Sequence, residues 1–370
     1  YANYSAVDIN VSGVGLNRKE IGAVIWNTSD ISSWNSFAIG FFDFNNDGIE
    51  EELAVGGSDL YYYYPNGSLA YTATEPSGTN VLLLPFDMDG NGYKDHIAIA
   101  DRNSNPLRFG VYNATADEIW YNNSYFTQYY TNVVIDLIDQ NNDGVENEIV
   151  VAGGANGDVL IFNSSNGDIL CNNTIGGRTY GLKSVDTNRN GKKDSFLLTD
   201  EFSMGFLFNG TTCEMLWNFT ATNNLAEVDI IDLNKDGYFE EFLFGQEYGG
   251  GRIYAIDIDG NNIWNLTNPQ RDAFEINNFD YDNDGYYAEF VVGLEDLIIA
   301  YDNNTNHLWN LSVPQGDTNS MFIDDINNDG ITEIIIGDEL GNIWIINKTG
   351  QILATYYLGL GGIGYGYNTH

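Results

Sequence analysis

Short runs of apolar, β-branched and aromatic residues alternate along this chain with clusters of Gly, Asn and Asp, and no segment sustains a 3.6-residue period. One stretch shows the pattern. Residues 131–139 (TNVVIDLID) predict a strand entering an acidic loop, and 147–154 (NEIVVAGG) a strand leaving it. Residues 158–163 (DVLIFN) and 168–173 (DILCNN) predict two more, joined by tight turns at 155–157 (ANG) and 164–167 (SSNG).

The same unit recurs. Its acidic loop begins at Asp43, Asp87, Asp139, Asp186, Asp232, Asp280 and Asp325, at intervals of 44, 52, 47, 46, 48 and 45 residues. Four short antiparallel strands repeated at that period predict an all-β fold, a β-propeller of four-stranded blades. The repeats divide the chain into blades at about 36–78, 79–127, 128–175, 176–222, 223–270, 271–314 and 315–355. Residues 356–370 and 1–35 together span 50 residues, close to one further period. They are read as an eighth blade, with one strand from the C-terminus (361–370) and three from the N-terminus (6–13, 20–27 and 30–35). Eight blades, with the ring closed by the two termini in one domain, are therefore favoured. The alternative is seven blades with two tails.

The loops have the spacing of a calcium site. Calcium takes six to eight oxygen ligands, and a short acidic loop supplies them from alternating positions, with Gly at the sharp turn. Positions 1, 3, 5 and 7 and the closing carboxylate are Asp43, Asn45, Asp47, Ile49 and Glu52 in the first loop. They are Asp87, Asp89, Asn91, Tyr93 and Asp95 in the second, and Asp139, Asn141, Asp143, Val145 and Glu148 in the third. The fourth has Asp186, Asn188, Asn190, Lys192 and Asp194; the fifth has Asp232, Asn234, Asp236, Tyr238 and Glu241. The sixth has Asp280, Asp282, Asp284, Tyr286 and Glu289; the seventh has Asp325, Asn327, Asp329, Ile331 and Glu333. Position 7 would offer its carbonyl. The closing carboxylate stands at position 9 in three loops and is placed at position 10 in four, because Asn147 and Ala288 occupy position 9 in two of those; Glu51 and Glu240 leave the choice open in the other two. The loop from Asp186, with two carboxylates and Lys192 and Lys193 beside them, is expected to bind most weakly.

An apolar strand, a D-x-[DN]-x-[DN]-G loop and a second apolar strand ending in Gly together resemble FG-GAP/VCBS-type repeats. The resemblance covers nearly the whole chain. It implies a calcium-bearing propeller like the head of integrin α chains, although those heads have seven blades. The family includes adhesion heads, lectins and polysaccharide lyases, so the resemblance leaves the function open.

Charge narrows the partners. There are 53 acidic residues against 14 Lys and Arg, a formal net charge of -39. Nucleic acid and anionic membrane surfaces need clustered bases and are poor partners. Asn is as abundant as acid, which argues against a purely halophilic explanation. No apolar run approaches the ~20 residues of a membrane span. The chain begins at Tyr1 without Met and is read as a mature secreted form or a fragment. Cys171 and Cys213 are expected on neighbouring outer strands, too far apart to bridge, as two isolated thiols.

Fourteen N-x-[ST] sequons occur, where chance gives roughly five. Asn27, Asn66, Asn113, Asn163, Asn209, Asn303 and Asn347 fall in turns between third and fourth strands; Asn122, Asn172, Asn218, Asn265 and Asn310 fall late on fourth strands; Asn3 and Asn10 complete the set. Asn is disfavoured inside strands, so the second group predicts glycans along the outer edge of the ring. An extracellular or cell-surface glycoprotein is the expectation.

Calcium loops and hairpin sequons should share one face of the ring. The opposite face is expected to carry Arg102, Arg178, Arg252 and Arg271 together with Tyr125, Tyr129 and Tyr130, a surface suited to a protein or glycan ligand. Trp120, Trp217, Trp264 and Trp309 recur on fourth strands and are read as packing between blades. His96, His307 and His370 are not expected to meet, and no catalytic motif is present. The expected role is binding, adhesion or surface assembly as a layer or filament, without enzymatic activity; a lectin or polysaccharide lyase acting on acidic glycans is the alternative.

Overall fold

The structure is a computed structural model that describes residues 38–56, 59–73, 81–101, 108–122, 133–247, 251–267, 272–313, 318–326, 330–338 and 342–357. These residues form a seven-bladed β-propeller, each blade a four-stranded antiparallel sheet in up-down order. The first strands are Ala38–Phe42, Val81–Phe86, Val133–Ile138, Thr179–Val185, Leu225–Ile231, Ala273–Phe279 and Thr318–Asp324. Each stops at the residue before a loop aspartate. The outermost strand of blade 7, Ile352–Tyr357, runs past residue 355.

Eight blades are not supported among the described residues. The residues assigned to the eighth lie outside them, apart from Tyr356 and Tyr357, which belong to blade 7.

Second strands are sandwiched within their blades, and Glu148–Gly153, Glu241–Gln246 and Glu289–Leu294 are buried throughout. Outer strands alternate instead: Met215–Thr220 and Asn262–Thr267 half-bury Trp217, Phe219, Trp264 and Leu266 and expose the residues between. The core is therefore a series of wedges between blades. Ile276, for example, packs with Leu243 and Ile253 of the preceding blade.

Successive first strands pack side by side from blade 1 to blade 7; among the described residues no comparable packing joins blade 7 to blade 1. Ile39 registers this seam. It stands four residues before its loop aspartate and is 47% exposed, whereas Leu83, Ile135, Val228, Ile276 and Met321 at the same place are at most 3% exposed and Leu182 is half-buried.

Cys171 and Cys213 form a disulfide with Cα atoms 5.9 Å apart, contrary to the expectation of isolated thiols. Cys171 lies on the outer strand of blade 3, but Cys213 lies in the turn before the outer strand of blade 4. That turn leans over blade 3: the Asn173 carboxamide donates to the Cys213 carbonyl at 3.0 Å.

Candidate metal sites

Six of the acidic loops are nests of carboxylate and carboxamide oxygens held by their own backbone. In the third loop, Asp139 accepts the N–H groups of Asp143 (3.0 Å) and Gly144 (2.9 Å). Asn141 Oδ1 also accepts from the Asp143 N–H, and Asp143 Oδ1 from the Val145 N–H. The same pattern recurs in the loops from Asp43, Asp87, Asp186, Asp232 and Asp280. Gly at position 6 makes the turn possible, with φ between 82° and 92° in all seven loops, a region that residues with a Cβ rarely enter.

Several closing carboxylates turn back into their own loops. Glu148 accepts the Gln140 N–H (2.9 Å) and the Asn141 carboxamide (2.8 Å). Glu241 does the same with Leu233 and Asn234, and Glu52 accepts from Asn45. Glu240 is turned away to Arg189. Glu289 likewise accepts the Tyr281 N–H (3.1 Å), so in the four longer loops the position-10 carboxylate turns back into its own loop. In the fourth loop Asp194, one residue earlier, accepts from Thr187 and Asn188. Asp95 lies against His96 Nδ1 at 2.5 Å. Glu333 is buried. Asn327 and Asp329 of the seventh loop lie outside the described residues.

These donors fit a hard divalent cation. Glu52 is fully buried, and its Oε2 has no hydrogen-bond partner. Burial, then repulsion from Asp47, Asp43 and Glu51, pushes its carboxyl up to about 7. Glu241 rises to about 7 through burial, opposed by the Leu233 N–H and reinforced by Asp232 and Asp236. In the sixth loop, carboxylate oxygens of Asp280, Asp282 and Glu289 all lie within 4.8 Å of one another. Oxygens 2.3–2.6 Å from a shared calcium would have that spacing.

Adjacent loops are joined. The N–H groups of Asp43, Asp139 and Asp232 donate to the carbonyls of Lys94, Lys193 and Tyr287, each at position 8 of the next loop. Lys94 pairs with Glu50 at 3.1 Å, Lys193 with Glu146 at 3.8 Å, and Arg189 with Glu240 at 2.6 Å. Arg189 also lies 4.1 Å over the Tyr238 ring. Gathering bases among the acidic loops answers local repulsion. The pairing was not visible in the sequence because the partners are 44 to 51 residues apart.

The opposite face is less complete. Arg178 lies 3.8 Å from Glu201, and Arg252 begins the third strand of blade 5, half-buried. Arg102, Arg271, Tyr125, Tyr129 and Tyr130 lie outside the described residues. Exposed aromatics instead stand in the acidic loops: Tyr238, Phe239, Tyr286 and Tyr287, with Phe239 and Tyr287 in ring contact at 6.2 Å.

The described sequon asparagines stand in two settings. Asn66, Asn113, Asn163, Asn209 and Asn347 accept hydrogen bonds within their own hairpin turns. Thr211, in such a turn, donates to the Gln140 carbonyl of the neighbouring acidic loop, so the two features share one face. Asn303 is partly engaged, donating to the Leu233 carbonyl at 3.3 Å. Asn172, Asn218, Asn265 and Asn310 are exposed on outer strands, and Asn122 is half-buried there. Asn3, Asn10 and Asn27 lie outside the described residues.

A second polar system lines the axis, where sequence reading assigned nothing. Lys183 pairs with Asp229 at 3.1 Å. Burial works against its charge, but Asp229 and Asp136 hold the ammonium above its ordinary range. Asp136 accepts the Ser184 N–H of the next blade (2.7 Å), and Asp229 accepts the Asn278 N–H of the next blade (3.0 Å). The two carboxylates bridge first strands that share no ladder.

The sequence matches no protein-family model and no curated protein sequence. Solved structures do match. Sqt1 of Saccharomyces cerevisiae superimposes with a TM-score of 0.68 at 14% identity, over 89% of this chain and 87% of that one. The BBS1N chain of a complex with ARL6DN gives 0.63 at 12% identity, over 93% and 98%. The C-terminal WD40 domain of Sif2 gives 0.62 at 12% identity, over 87% and 86%. These likenesses establish a shared propeller fold.

Proposed function

We propose that this chain is an extracellular, calcium-stabilised and N-glycosylated propeller that works by binding, as an adhesion head or as a subunit of a cell-surface layer or filament. The observation that carries the reading is the buried, unpartnered Glu52 Oε2 at the closed end of a loop already crowded with carboxylates. A cation there would relieve both burdens, and the loop design recurs around the ring. Asp43, Asn45, Asp47, the Ile49 carbonyl and Glu52 would hold the ion in the first loop, and their counterparts in the others. Calcium would supply charge neutralisation and rigidity; the loop backbones would orient the donors. FG-GAP/VCBS-type repeats remain the proposed family.

A protein ligand is the favoured partner, as propellers such as BBS1N have been captured in complex with another protein. Exposed Tyr238, Phe239, Tyr286 and Tyr287 favour a second reading, a glycan contact on the acidic face. Electron microscopy of the native material, with and without chelator, tests the first reading. Ordered layers or filaments, or a saturable protein ligand, would support it. Monomers that bind only glycans, or turn over an acidic polysaccharide, would support the second.

An eighth blade from residues outside those described is proposed to fill the seam, because Ile39 is left exposed there. In the full chain, an Ile39→Cys thiol should be protected from alkylation. Labelling as fast as in a peptide would argue for seven blades alone.

A further inference from the structure

We propose that Lys235 is an internal cation for the sixth acidic loop, taking the place of a divalent ion there and lowering that loop's metal affinity. The inference rests on the metal reading of the loops. Lys235 belongs to the fifth loop, but its ammonium lies 2.5 Å from Asp284, 3.5 Å from Glu289 and 3.7 Å from Asp282 of the sixth. Those are positions 5, 10 and 3, three of the four carboxylates that would hold the ion. Two cations cannot share these oxygens without strong repulsion, so metal entry requires the lysine to leave. It is only partly buried and has a route to solvent.

The backbone supplies a second observation. Lys235 stands at position 4 with φ 58°, in the left-handed region. Position 4 is Asn46, Gly90, Asn142, Asn283 and Asn328 in five other loops, and Asn and Gly are the residues that tolerate this conformation. Lysine is not among them, so its presence requires a gain elsewhere. Arg189, at position 4 of the fourth loop with φ 62°, likewise reaches forward, to Asp236 at 3.5 Å and Glu240 at 2.6 Å. A basic residue at this position is thus a forward-reaching counter-charge. Arg189 bonds position 9 and approaches one ligand carboxylate of the fifth loop, Asp236 at position 5, whereas Lys235 lies against three ligand carboxylates of the sixth. By carboxylate count alone the sixth loop would be the strongest site; Lys235 sets it back.

The test is calcium titration calorimetry on the full chain and on Lys235→Asn and Lys235→Arg, with terbium luminescence, compared in a Tyr286→Phe background, as a second readout. Lys235→Asn restores the residue that other loops place at this φ, so folding is preserved. It should tighten one site roughly tenfold or more, raise the terbium signal at lower metal concentration, and lower the melting temperature of the metal-free protein. Lys235→Arg should bind no more tightly than the parent. If the parent takes up calcium and Lys235→Asn leaves every site unchanged, this proposal fails alone. If neither chain takes up calcium or terbium, the metal reading fails and this proposal with it.

Discussion

The indole N–H of Trp309 in blade 6 donates to the carbonyl of Lys348 in blade 7 at 2.7 Å. Trp120 bonds the Ser164 carbonyl, and Trp217 the Ile258 carbonyl, in the same relation to the next blade. A glycine completes each contact. A Cβ at Gly167, Gly260 or Gly350 would come within 2.7 to 2.9 Å of the indole. The tryptophans are clasps between neighbouring blades, seated in turns that only glycine leaves open.

Gly350→Ala should therefore destabilise the fold by more than ~1 kcal/mol, through the clash and a φ of +81°. Trp309→Phe should cost ~1 kcal/mol for the lost hydrogen bond, and Trp309→Ala ~3–5 kcal/mol. Denaturant unfolding reads all three. Equal midpoints for parent and Gly350→Ala would refute the clasp.

The Cys171–Cys213 bond joins blades 3 and 4 across a separation of 42 residues. A loop of that size is stabilised by ~2–4 kcal/mol on closure. Cys171→Ser should lower the melting temperature, and reductant should do the same to the parent. Two alkylatable thiols in the native oxidised protein would contradict the bond.

Burial pushes Glu227 up to about 8, helped by repulsion from Asp229 against the opposing pull of the Val228 N–H and Lys183. In the unfolded chain this carboxyl ionises near its ordinary value, so raising the pH stabilises the unfolded state first. Its contribution to folding is complete below that value and is lost as pH rises to about 8. Glu227→Gln should therefore gain stability over the parent between pH 5 and pH 9 in denaturant melts. The pairwise comparison removes the loop carboxylates, which titrate in both chains. A difference that stays constant with pH would contradict the assignment.

Much of this architecture is legible in local sequence, because a propeller blade is a local object. The strands of blade 3 lie within a residue or two of the runs that predict them, and Asn45, Asn141 and Asn234 hold the position-10 carboxylate in three of the four longer loops. What local reading misses is contact between blades. Cys213 leaves its strand for a turn, so the pairing with Cys171 is invisible in a strand register. Lys183, Arg189 and Lys235 look like ordinary surface bases until the ring brings the next blade's acids to them. The count of eight blades is less legible for a related reason: it depends on residues 1–37 and 358–370, which contain no acidic loop to mark a register.

Calcium removal tests the central claim most directly. Metal content per chain and the melting temperature should be measured together, before and after EDTA. The account predicts about seven calcium ions per chain at saturation, with the loops from Asp186 and Asp280 last to fill, and a melting temperature that falls substantially on chelation and returns with calcium. A protein that purifies without calcium, takes none up, and melts at the same temperature in EDTA would contradict it.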